Sequence, residues 1–152
     1  MLLAFGFGSG LSPVVPGTCG TVVAGALYLL IAQLPLWLYG AITLLSIPIG
    51  NYLCGYASKT LGVHDHKGIV WDEFTGFWIT LFAVPCVTTQ GINWPLLAVA
   101  FVLFRFFDMV KPWPISWADK KVHGGFGIML DDILAGVFAW IALYLLMTLG
   151  WV

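Results

Sequence analysis

The chain has 152 residues, of which 61% are hydrophobic, 16% aromatic and only 9% charged, with a formal net charge of −1. A soluble domain carries roughly a quarter charged residues, so an ordinary soluble globule is excluded in favour of helices that meet apolar surroundings on every side. No basic excess exists to hold a nucleic-acid backbone, and that class of partner is set aside.

Met1 to Phe7 is short and lacks the basic start of a signal peptide, so cleavage and export are not expected. The abrupt Gly-rich opening leads us to expect further residues ahead of it. GFGSGLSPVVPGTCGT (6–21) combines glycines that allow close backbone approach, prolines that stiffen a turn, and hydroxyls at Ser9, Ser12, Thr18 and Thr21. Placed before a helix, it reads as an anion cradle, with Ser9, Gly10, Ser12 and Thr18 offered to a phosphate. A Gly-rich turn that merely packs is an equal reading on composition. The pattern GxxxxGK[ST] is absent, so this is not a Walker loop.

Five apolar stretches follow, at about 18–34, 37–58, 74–90, 94–110 and 132–150, each near the roughly 17–25 residues of a spanning helix. The short connections AQLPLW and TQGINWP read as tight outer turns. Every Asp, Glu, Lys and Arg falls within 59–73 or 105–132, the segments joining helix 2 to 3 and helix 4 to 5. Five helices put both segments on one side, and their Lys and Arg content makes it the cytoplasmic side, with the N-terminus in and the C-terminus out. Trp37, Trp94 and Trp151 then mark the outer interface, and Trp71, Trp113 and Trp117 the inner one. Pro48 and Pro85 are expected to kink or end their helices. The expected fold class is all-α: a polytopic membrane helix bundle in the lipid bilayer, one domain over 1–152, with a cytoplasmic-face active site. Cys19, Cys54 and Cys86 lack metal-type spacing and read as core or lipid-facing residues.

The charged segments hold a repeat. VHDHKGIVWDEF (63–74) laid over VHGGFGIMLDDI (122–133) matches Val, His, Gly, Ile and Asp at the same offsets, with Glu73 opposite Asp132. Two parallel hairpins related by an axis along the membrane normal would make the turns at His64 and His123 superpose. Gly76 and Gly136 would let the two following helices approach closely, so that both acid doublets converge.

Capping accounts for one acid per helix start, yet two helices each begin with two, and Asp108 closes a third on the same face. Asp72, Glu73, Asp131 and Asp132 are therefore candidate metal ligands, and all-oxygen donors suit a hard cation such as Mg²⁺. Asp108 and Asp72 are candidate catalytic acids, with His64 and His123 as groups that bond phosphate or shuttle protons rather than ligate metal. RFFDMVKPWPISWADKK (105–121) spaces Arg105, Asp108 and Lys111 at three-residue intervals before Pro112 ends the helix. With Lys67, Arg105 and Lys111 form a candidate phosphate-binding set, and snorkelling to headgroups is an even alternative.

Together FGSGLSPVVPGTCGT, VHDHKGIVWDEFTG and FDMVKPWPISWADKKVHGGFGIMLDDILAG resemble the phosphatidylglycerophosphatase A family over roughly half the chain. The resemblance implies a bacterial inner-membrane, Mg²⁺-dependent phosphatase that converts phosphatidylglycerol phosphate, a membrane lipid, to phosphatidylglycerol. It carries function to Asp72, Glu73, Asp108, Asp131 and Asp132 as acids, with Lys111 and His123 as neighbours. The family's members begin with residues ahead of the first motif, a departure confined to the N-terminal anchor. A small transporter or binding protein for a divalent cation or phosphate is the rival from another class. No feature of the sequence assigns an oligomeric state.

Overall fold

The computed structural model describes residues 1–63, 66–87 and 94–152, and all regular structure among them is helical. A 3₁₀ turn over Gly6–Leu11 leads into α1 (Pro16–Ile31), followed by α2 (Leu36–Leu61), α3 (Trp71–Leu81) and the short α4 (Ala83–Val87). Beyond residues 88–93 come α5 (Trp94–Val110), α6 (Ile115–Lys121) and α7 (Gly124–Thr148). Two of these, α2 and α7, are long and apolar enough to cross a membrane by length and composition. The others are shorter than the five full spans expected.

The caps follow from local chemistry. Pro16 opens α1 at the one place where its missing amide costs nothing. Gly62 closes α2 in the left-handed region at φ 68°, with Lys59 in the last turn opposite the negative end of the dipole. Pro48 lies inside α2 without ending it. Near Pro85 the expected third helix does end early: α3 stops at Leu81, and a separate short helix carries the proline.

α3 is the centre of the molecule. From Asp72 to Trp78 every residue is buried, and α3 packs against α1, α2, α5 and α7. Phe74 and Phe77 form the main core with Phe104 of α5 and Ala135 and Ala139 of α7. A helix surrounded on all sides needs no polar face, and beyond Asp72 and Glu73 the α3 segment carries no charged residue. A second cluster joins Ala4 and Phe5 to Cys54, Ala57, Ile69, Ile128 and Met129, so the N-terminal segment is tied beneath α2 and α7.

The most extensive helix pairing is between α3 and α7, and it is made by small residues. A Cβ added to Gly76 would stand 2.6 Å from the Asp132 carbonyl oxygen, and one on Gly136 would stand 2.4 Å from the Gly76 carbonyl oxygen. Thr80 donates its hydroxyl to the Gly136 carbonyl at 3.3 Å, one turn further along both helices. The crossing expected at Gly76 and Gly136 is therefore present, with the two helices running in parallel.

The superposition of the two preceding turns is not. Residues 66–70 are non-helical, whereas the matching 125–129 already belong to α7, whose first residue is Gly124 rather than 132. Asp131 and Asp132 consequently sit about two turns inside their helix and cap nothing, and α7 has no acid in its first turn. His64 lies outside the described residues.

Candidate active site

The first turn of α3 carries Asp72 and Glu73, both buried. Asp72 Oδ1 accepts the Glu73 amide proton at 3.0 Å, so part of its role is to satisfy an otherwise orphaned helix-start amide. Glu73 does something else. Its Oε2 accepts the Thr21 hydroxyl at 2.7 Å, and its Oε1 lies 3.3 Å from Arg105 Nη1. It also presses on the first turn of α1, where a Cβ on Gly17 would stand 2.1 Å from Oε1. Only a glycine leaves room for a carboxylate at that place.

Arg105, in the last third of α5, bridges Glu73 to Asp108, whose Oδ2 is 2.7 Å from the same Nη1. These contacts are ionic by distance but poorly aligned for hydrogen bonding, and the buried Nε has no partner among the described residues. Five residues after Arg105, α5 ends at Val110 and the chain enters Lys111 at φ 44°. A left-handed backbone is costly for a residue with a Cβ, the more so before proline, and such strain persists where surrounding contacts over-determine it. Here the contacts are ionic: Lys111 Nζ reaches Asp119 of α6 and Asp131 of α7, each at 2.7 Å. Partial burial works against its charge, but the hydrogen bonds to Asp119 and Asp131 outweigh it and hold the ammonium above the usual lysine range.

Asp132 completes the group. It is 4% exposed, and its strongest electrostatic neighbours are carboxylates: Asp108 first, then Asp72, Asp131 and Glu73. α3, α5 and α7 therefore gather five acids at one end of the core, with Arg105 and Lys111 paired to its outer members. A buried carboxylate crowded by others calls for a counter-ion. Oxygen-only donors fit a hard cation such as Mg²⁺. In the present arrangement, however, no three His, Cys, Asp or Glu side chains among the described residues stand close enough to enclose a metal.

The candidate phosphate-binding residues divide into two places. Arg105 and Lys111 belong to the acidic cluster. Gly10, Ser12 and Lys67 line a separate recess of about 550 Å³ with Phe5, His66 and Gly68. There the Gly-rich turn packs on residues 66–70: a Cβ on Gly10 would fall 2.0 Å from the Gly68 carbonyl oxygen, and Val70 donates its amide to the Ala4 carbonyl at 2.9 Å. Ser9 and Ser12 donate their hydroxyls to the nearby carbonyls of Gly6 and Val14. Thr18 is half-buried in the first turn of α1. His123 is exposed at the N-cap of α7, roughly 12 Å along the helix from Asp131.

Three site residues escaped selection from the sequence. Thr21 was visible as one hydroxyl of the Gly-rich motif, but its pairing with Glu73 was not. Gly17 carries no signal apart from lying in that motif. Asp119 stands among lysines in 105–121, where a surface pair is the ordinary reading.

A family model described as Phosphatidylglycerophosphatase A matches residues 2–147. A Phosphatidylglycerophosphatase A of Escherichia coli is 55% identical over 138 residues, covering 91% of this chain and 77% of the relative. One from Haemophilus influenzae is 44% identical over 144 residues, covering 94% and 85%. A Bacteroides thetaiotaomicron protein named for a phosphatidylinositol-3-phosphatase activity is 39% identical over 146 residues, covering 93% and 89%. No solved structure matches.

Proposed function

The chain belongs to the phosphatidylglycerophosphatase A family and is a phosphatase, and from that premise we propose that it hydrolyses phosphatidylglycerol phosphate to phosphatidylglycerol and inorganic phosphate. The observation that carries the chemistry is the buried Asp132 among four other carboxylates, beside the only arginine in the chain. We place the protein in the bacterial inner membrane as a multi-pass helix bundle with this cluster facing the cytoplasm. The distribution of Lys and Arg and the two long apolar helices support that reading.

Asp72, Glu73, Asp131 and Asp132 would hold Mg²⁺, which when bound supplies Lewis-acid stabilisation of charge on the phosphoryl oxygens. The chain's own groups do the rest. Arg105 Nε, buried without a partner among the described residues, is a donor left for a phosphate oxygen, and Lys111 adds a second positive charge at the rim. Water attacks phosphorus as the ester P–O bond breaks, and the leaving glycerol oxygen takes up a proton. Asp72 and Asp108 would accept the proton of the attacking water. His123, exposed at the start of α7, and His64, outside the described residues, are candidates to exchange protons with solvent. The Gly-rich turn with Ser12 and Lys67 offers a second phosphate contact.

The transporter reading loses ground because the relatives carry phosphatase names. The test is phosphate release by purified protein with Mg²⁺ and with EDTA, comparing phosphatidylglycerol phosphate with phosphatidylinositol 3-phosphate. Faster release from the former and loss with EDTA are expected. Asp72→Asn, Glu73→Gln, Asp131→Asn and Asp132→Asn keep side-chain size and remove charge, and each should slow turnover at least about a hundredfold. Near-normal rates in all four would remove the carboxylates from the mechanism.

A further inference from the structure

α1 and α5 both lean on α3 but touch each other little, and the slot between them is apolar. It has a volume of about 450 Å³, within the range of pockets that take organic ligands. Phe77 of α3 forms its floor, Gly25 and Ala98 widen it, Phe101 lines one wall, and Trp94 marks its far end. A Cβ on Gly25 would stand 3.2 Å from the Phe77 ring, so a larger residue there would narrow the slot and push on its floor. Its near end is Thr21, whose hydroxyl is donated to Glu73. The slot is thus continuous with the acidic cluster.

We propose that this slot seats one acyl chain of the phospholipid substrate, so that the lipid is held by its tail while its phosphate lies at the carboxylates. This rests on the membrane-phosphatase reading given above. Its length suits a tail: from Arg105 to Trp94, α5 rises roughly 16 Å along the helix axis. The lining carries no charge, and rim residues such as Val22 and Trp94 are exposed sideways, where a lipid tail would enter without leaving the bilayer. Thr21 joins the two halves of the site. It ends the apolar slot with a methyl-bearing side chain and orients a carboxylate with its hydroxyl.

Ala98→Trp fills the slot from an exposed helix position and leaves α3 and the carboxylates untouched. With long-chain phosphatidylglycerol phosphate in mixed micelles, kcat/KM should fall by about tenfold or more, chiefly through KM. The deacylated headgroup substrate, which has no tail, should be hydrolysed at the wild-type rate. A readout independent of turnover is crosslinking to vesicles containing phosphatidylglycerol with a photoreactive group midway along one acyl chain. Label should concentrate on 22–29 and 94–101 in the wild type and be lost from both in Ala98→Trp. Label spread equally over the exposed face of α2, at Leu44 and Leu45, would mean bulk lipid only and would overturn the proposal. So would equal loss of both substrates, or a disulfide-linked dimer of Ala98→Cys showing that a second copy fills the slot. A wild-type protein that releases no phosphate but is labelled in the slot would sink the substrate assignment and leave the tail site standing.

Discussion

Gly136→Ala tests the crossing on which the cluster depends. The added Cβ would stand 2.4 Å from the Gly76 carbonyl oxygen and 3.1 Å from its Cα. Favourable separations between carbon atoms are about 3.5–4.0 Å, so α7 must move off α3 by about 1 Å. The obstacle is backbone in a helix buried on every side, and no side chain can swing away to absorb the strain. Overpacking of this kind costs about 1–3 kcal/mol, offset by about 1 kcal/mol because alanine suits a helix interior better than glycine. The net effect on stability is therefore small, about 0–2 kcal/mol. The effect on rate should be larger, because Asp132 lies one turn away and moves with α7 relative to Asp72. A misplacement of about 1 Å costs on the order of a hundredfold in turnover. Phosphate release and Tm in detergent measure the two effects separately. Gly40→Ala is the control: its Cβ would meet the Phe82 ring at 3.6 Å, an ordinary contact, so rate should hold and Tm should hold or rise. A Gly136→Ala enzyme as fast as wild type would refute the argument, as would an equal loss in Gly40→Ala.

Lys111→Ala and Lys111→Gly both remove the ion pairs to Asp119 and Asp131, and each should slow turnover by at least about tenfold. The glycine variant should be the more stable of the two by about 1 kcal/mol, since it relieves the left-handed backbone; equal Tm values would deny the strain. Under the proposed topology, Trp37→Cys should react with an impermeant thiol reagent added outside intact cells while Lys120→Cys should not, on a Cys19→Ala, Cys54→Ala, Cys86→Ala background. The opposite pattern would invert the orientation.

The positions of the helices were legible because lipid-compatible segments announce themselves by length and apolarity, whereas their ends were not. Gly124, Gly125 and Gly127 look like loop, yet they open α7. Packing decides the matter: a Cβ on Gly125 would fall 2.1 Å from the Asn51 carbonyl oxygen of α2, so close approach there demands glycine despite its low helix propensity. Asp72 and Glu73 could be singled out because acids beside an apolar run are costly. The Arg105–Asp108 pair could be read from its one-turn spacing. Thr21 and Glu73 are 52 residues apart in sequence, and nothing local in either stretch records that they meet. The match of Val, His, Gly, Ile and Asp that suggested a repeat is not carried into matching secondary structure, since 66–70 are non-helical and 125–129 are helical, while the glycine contact it also suggested is real. That contact depends on small residues in two packed helices and not on the loops before them.

The pairing of α3 with α7 also sets an order of events during synthesis. The central helix finds its most extensive partner in the last one made, so a nascent chain that has completed α5 still holds Asp72, Glu73 and Gly76 against an unfilled side. Contacts between distant segments form late because the intervening chain must first be ordered. The Glu73–Arg105–Asp108 part of the cluster needs only α3 and α5, and arrival of the C-terminal helix completes it with Asp131 and Asp132. A chain that ends before α7 lacks Asp131 and Asp132, and α3 then keeps its acids without the partner helix that encloses them.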